Sequence, residues 1–271
     1  MRSRVGNYAS VAIYTFKLSI QRKLEYPVDV ISCFLMIPMM YGSGVLLLYF
    51  MVKNFQSVNG WTFPQLTFIY GLGNISHALM MVFAAQLWGM ENYILHGDFD
   101  RMLLRPLNVF YQFLTSEINF IALMDFITAG VIFSYGCRLV AFNWSAGNII
   151  KVVLVIIGAA LIRYSIFTVL CTISFWTKKS QPLIYLATEL LDRTTLYPIS
   201  IYPFFLQFIF TFFVPIAFIS FYPACELLGQ DDRFAIPLGL SAWTPVIGIL
   251  IIIPTVLLFN YALKNYESSG S

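Results

Sequence analysis

Few side chains in this sequence are of types that do chemistry, and their spacing closes most of the usual options. No Gly-Lys dipeptide occurs, so the G-x-x-x-x-G-K-[ST] loop that cradles nucleotide phosphates is absent. There is no H-E-x-x-H, and the two histidines, His77 and His96, stand apart. Cys33, Cys137, Cys171 and Cys225 have neither metal-ligand nor redox spacing and read as small apolar packing residues. Gly71-Leu-Gly73 looks like a piece of a nucleotide fingerprint, but it lies in an apolar run, where small residues serve close helix packing. Asn143-Trp-Ser145 matches a glycosylation acceptor on three residues alone.

Two charges stand deep inside long apolar runs. Charge at membrane depth is costly, so Asp125 and Arg163 call for a reason. They lie about 12 and about 13 residues from the same-side ends of their runs, or roughly 18–20 Å deep at 1.5 Å per residue. Consecutive runs joined by a short connection should be antiparallel neighbours, so Asp125 and Arg163 are expected to pair. Such a pair either locks two helices or serves proton coupling or substrate binding. Asn74, His77, Glu117 and Asn119 are expected to be interhelical hydrogen-bonding groups.

A third group of candidates is a polar segment between apolar runs, Gly97-Asp-Phe-Asp-Arg-Met-Leu-Leu-Arg-Pro106. Gly97 breaks the preceding helix, Asp98 is placed to be an N-cap, and Pro106 stops the chain after about two turns. Phe99, Met102 and Leu103 would form one apolar patch, ringed by Asp100, Arg101 and Arg105. Such a short amphipathic helix either rests on lipid headgroups or docks on another protein.

The elements that must position these residues follow from composition. Apolar residues make up 59% of the 271 and charged residues 11%, against about a quarter charged in soluble domains. With a mean hydropathy of +0.78, this is an all-α integral membrane protein. Six spans are expected, over 28–51, 66–90, 113–137, 149–176, 204–222 and 241–263. Residues 6–26 alternate apolar and basic positions and read as a helix lying in the headgroup region, ended before Pro27. Residues 183–199 carry Glu189, Asp192 and Arg193 among leucines and suggest a second interfacial helix. Residues 223–240 are too polar to span and fit a re-entrant hairpin. The phenylalanine-rich 204–221 stretch is either lipid-facing filler or the wall of an apolar path. Placing both termini in the cytoplasm puts eleven of the 16 Lys and Arg inside and four outside, with Arg163 in a span. The 97–106 segment is then cytoplasmic and the 223–240 hairpin external.

Three stretches resemble permeases of ATP-binding-cassette exporters with the type 2 exporter fold. They are Gly97–Pro106, Tyr197-Pro-Ile-Ser-Ile-Tyr-Pro203, and Phe213-Val-Pro-Ile-Ala-Phe-Ile-Ser-Phe-Tyr-Pro-Ala-Cys-Glu-Leu-Leu-Gly229. The nearest subgroup is the bacterial permeases paired with a second permease and a separate ATPase, and the resemblance covers nearly the whole chain. It implies a single transmembrane domain of the bacterial inner membrane that is not itself an enzyme and needs no cofactor. Residues 1–27 would be the connecting helix and 223–240 the external re-entrant element. Residues 97–106 would be the coupling helix, with Asp98, Phe99, Asp100, Arg101, Leu103, Leu104 and Arg105 seated on the ATPase. The partners implied are ATPase subunits, a second permease as homo- or heterodimer, and membrane lipid, with no nucleic acid. Two other readings use Asp125 and Arg163 directly: an ion-coupled secondary transporter and a membrane-embedded enzyme. Absence of an inverted repeat disfavours the first, and absence of a dense acidic or histidine cluster the second.

Overall fold

The computed structural model describes residues 27–117, 119–230 and 240–267, with a few positions before residue 27. The expected connecting helix over 1–27 falls almost wholly outside the described residues, as do 231–239 of the expected re-entrant hairpin. Among the described residues the chain is all-helical and has no strand beyond one isolated bridge, Val58 to Trp61.

The first helix, α1, runs Pro27–Phe55, and Pro27 fits the first helical position, where no N–H is needed. Its most apolar window is only 6% buried within the chain, so α1 presents nearly all its surface outward. The loop after it leads to α2, Phe63–Val82, where the Thr62 N–H donates to Gln65 Oε1 at 3.1 Å.

The expected spans 66–90 and 113–137 are each broken. Beyond α2 the chain continues as α3, Ala85–Trp88, and α4, Met90–Leu95. The polar segment forms α5, Asp98–Leu103; then come α6, Val109–Leu114, and α7, Ala122–Leu139. The two breaks satisfy one another. Gln86 Nε2 donates to Phe83 O at 2.6 Å and Leu114 O at 3.3 Å, and the Asn119 N–H donates to Val82 O at 3.0 Å. Backbone groups freed inside a bundle must find such partners, because no water replaces them. Only the Asn119 backbone makes this bridge; its side chain, expected to bond between helices, accepts from the Ile121 N–H at 3.0 Å.

Next, α8 spans Ala146–Thr172, its first turn capped by Ser145 Oγ accepting from the Asn148 N–H at 3.2 Å, and α9 follows at Ser174–Thr177. The last helix, α13, is Thr244–Ala262. Glycines let these helices touch backbone to backbone. A Cβ on Gly71 would lie 2.6 Å from Phe133 Cα in α7, and one on Gly158 would lie 2.7 Å from Pro245 Cα in α13. This is the close packing expected of Gly71-Leu-Gly73. Cys137, Cys171 and Cys225 are buried and form no disulfide among the described residues.

Helix α10, Gln181–Leu196, was expected to be interfacial and is not among the helices long and apolar enough to span. One face is packed against the bundle, while Tyr185, Leu186, Glu189, Asp192 and Arg193 are exposed. At one end Glu91 of α4 accepts from the Ser180 and Gln181 N–H groups at 2.5 and 2.6 Å. At the other, Ser200 O accepts from Asn59 Nδ2 at 2.9 Å and Ser200 Oγ from Trp61 Nε1 at 3.2 Å. Between these anchors Ile184, Leu191, Thr194 and Thr195 are buried. The stretch 181–200 therefore runs the length of α2 through α4.

The expected fifth span, 204–222, is not one helix. Helix α11, Phe204–Phe208, runs through a π-helical turn at Ile209–Phe213, the chain breaks at Val214-Pro215, and it returns to α12, Phe221–Leu228. The two limbs meet at 78°. Pro215 cannot continue the ladder, and Thr211 Oγ1 clamps the limbs by a 2.7 Å hydrogen bond with Tyr222 Oη. Among the described residues four helices are long and apolar enough to span, or five if the bent pair counts as one, where six were expected.

Candidate functional site

Two places gather the chemistry. The first is α5. Its cap is Gly97, at φ +69°, a left-handed conformation open to glycine, so Asp98 is the first helical residue and not the N-cap expected. The Asp98 carboxylate instead pairs with Arg101, and Asp100 is half-buried beside it.

The apolar patch expected of Phe99, Met102 and Leu103 is divided. Phe99 and Met102 face inward, while Leu103 and Leu104 are 51% and 85% exposed, alongside exposed Arg101, Arg105 and Pro106. On the inner face the Phe99 ring lies 5.2 Å from Phe175, 5.6 Å from Phe113 and Tyr266, and 6.3 Å from Phe259. Gln112 Nε2 donates to the Met102 and Leu107 carbonyls at 2.9 and 3.0 Å. So α5 is fastened to α6, α9 and α13 and has one exposed face, two leucines flanked by two arginines.

The second place is a polar cavity of ≈ 300 Å³ between α1, α2 and α10. Met40, Tyr41, Ser43, Gly44 and Leu47 line it from α1, and Tyr70, Asn74 and His77 from α2. Glu189, Asp192, Arg193 and Leu196 line it from α10. Glu189 Oε1 and Arg193 Nε are 2.8 Å apart. Tyr41 Oη and Asn74 Nδ2 are buried with no hydrogen-bond partner among the described residues.

Arg163 lies behind this cavity, fully buried. The expected Asp125–Arg163 pair does not form: among the described residues no ion pair within 4.0 Å joins them. Arg163 Nη2 donates to Thr195 Oγ1 at 2.5 Å, and Nη1 is 3.5 Å from His77 Nδ1. A guanidinium can only donate, so Nδ1 carries the lone pair and the His77 ring is neutral. Asp125 faces Tyr41 of α1 instead. The pairing fails because α7 and α8, expected to be neighbours, each pack on α2 and not on one another, while α10 supplies Arg163 with its partner. Glu117, expected to bond between helices, is exposed.

Residues missed by spacing alone are Tyr41, Tyr70, Glu91 and the face of α10. A signal existed for the last: Glu189, Asp192 and Arg193 recur at i, i+3 and i+4 on one side of a leucine-rich helix. A second cavity, ≈ 330 Å³ and almost wholly apolar, lies on another side of α10, between Leu186 and Leu190, Val169 of α8, and the Val214-Pro215 bend.

No curated protein and no solved structure matches the chain. The family of ABC-2 family transporter proteins matches residues 38–270, which takes in every helix from the middle of α1 onward. The chain is a multi-pass membrane protein and belongs to the ABC-2 family of transporter proteins, as a membrane component.

Proposed function

We propose that this chain is the permease half of an ATP-driven exporter whose motor is a separate ATPase, docked on the exposed face of α5. The observation that carries this is the division of α5. Its inner face is fixed in an aromatic cluster shared by α6, α9 and α13, and its outer face offers Leu103, Leu104, Arg101 and Arg105. A force on that face is passed to three helices at once. Basic residues favour this end, and both termini, in the cytoplasm.

In this reading α10 is a fifth span, entering at Gln181 near α5 and leaving at Ser200. The bent pair α11–α12 is then the re-entrant element, in place of residues 223–240. Its tip at Val214-Pro215 lies against Val169 and Leu186, whereas Glu226 meets Lys151 in the first turns of α8 at 2.7 Å. The polar cavity becomes a wall of the export path and faces a second permease. A secondary transporter or an enzyme built on Asp125 with Arg163 loses support, since the two do not meet. The test is co-purification from native membranes: a P-loop ATPase should come with the wild type and be lost with Arg101→Glu and Leu104→Asp. Retention of the ATPase by that variant would reject the docking face.

A further inference from the structure

We infer that the polar cavity between α1, α2 and α10 binds an amphipathic amine, a protonated nitrogen carried on an apolar body with a hydrogen-bond acceptor nearby. The inference rests on reading this cavity as a wall of the export path. Charge comes first. The charges in and directly behind the cavity are Glu189, Asp192, Asp125, Arg193 and Arg163. Glu189 and Arg193 cancel at 2.8 Å. Arg163 is held by Thr195 and has both Asp192 and Tyr41 within electrostatic reach. Three acids and two bases leave one negative charge over, and His77, accepting from Arg163, adds none. An uncompensated charge inside a bilayer is costly, and a cationic occupant removes that cost.

An orphaned polar atom points the same way, independently of charge. Asn74 is 6% exposed and lines the cavity, and its Nδ2 has no partner among the described residues. It asks for an acceptor, which an ester, ether or hydroxyl supplies. Tyr41, whose hydroxyl faces Asp125, and Tyr70 also line the cavity, and aromatic rings favour cations over anions. The rest of the lining, Met40, Leu47 and Leu196, suits an apolar body. Asp192, exposed at the cavity and in no ion pair within 4.0 Å among the described residues, is the carboxylate that meets the amine.

The test uses the full chain in lipid nanodiscs and two probes: procaine, an aromatic ester with a protonated amine, and benzocaine, an aromatic ester without one. Equilibrium dialysis should find procaine bound more tightly. Asp192→Asn should weaken procaine on the order of tenfold and leave benzocaine unchanged, the latter also reporting an intact cavity. Asn74→Leu should weaken both. Equal binding of the two esters, with both lost in Ser43→Trp, overturns the amine and leaves the path reading standing. If Ser43→Trp changes neither, both readings fall.

Discussion

Arg163 has the heaviest demands of any side chain in the protein, being long, charged and fully buried. Such a group persists only where neighbours satisfy it, and two of those neighbours, His77 and Thr195, come from different helices. That Arg163 would be buried and need partners was legible from its place in an apolar run, whereas Asp125 stands in the first turn of α7 and not about 12 residues along a helix. The partners themselves were not legible, because the partner of Arg163 lies on a stretch whose charges made it read as interfacial. The two assignments separate in double-mutant cycles on unfolding in detergent. Arg163→Met with Thr195→Val should show a coupling of about 1 kcal/mol. Arg163→Met with Asp125→Asn should couple by less than about 0.5 kcal/mol, as sites without contact do. A larger second value would restore the direct pair.

Among the elements, α5 and α10 are joined by one carboxylate. Glu91 lies in α4, directly before α5, and its Oε1 accepts from the first two N–H groups at the start of α10. An anion there is favoured by the helix dipole as well as by the hydrogen bonds. Displacement of α5 by a motor would therefore pull the helix that carries Glu189 and Asp192. Glu91→Gln should lower unfolding stability by about 1–2 kcal/mol and should lower transport per ATP hydrolysed more than it lowers ATPase binding. Unaltered coupling would remove Glu91 from the transmission route. Arg101→Glu with Leu104→Asp should act oppositely, leaving insertion and fold intact while transport stops, as read by membrane fractionation and vesicle uptake. The end of α5 was visible in Pro106, and its start nearly so in Gly97. Which leucine faced out was not, since Phe99 is drawn inward by Phe175 and Tyr266, aromatics far away in sequence. The helix breaks at Phe83 and Thr115–Ile121 were hidden for a similar reason: each is supported by the other.

For the molecule as a whole, the open question is what covers α10. In the chain alone the Glu189 and Arg193 side chains are 64% and 57% exposed, and Asp192 is exposed too. In the proposed arrangement, with α10 as a span, Glu189 is about 12 Å along the helix from Gln181, too deep for its charge to meet acyl chains at small cost. Water in a path, or a second permease, must face it. Leu186 is less than one turn away and about 60° around the helix, 67% exposed beside the apolar cavity, and belongs with lipid. The contrast gives a direct readout in single-cysteine variants lacking Cys33, Cys137, Cys171 and Cys225. Only a thiol in water ionises and reacts with a membrane-impermeant methanethiosulfonate. Glu189→Cys should be modified in the assembled transporter and protected by a bound solute, while Leu186→Cys stays unreactive at the same depth. Equal reactivity at the two positions would mean that α10 lies in the headgroup region, as its composition alone suggests, and that the polar cavity is no part of a path.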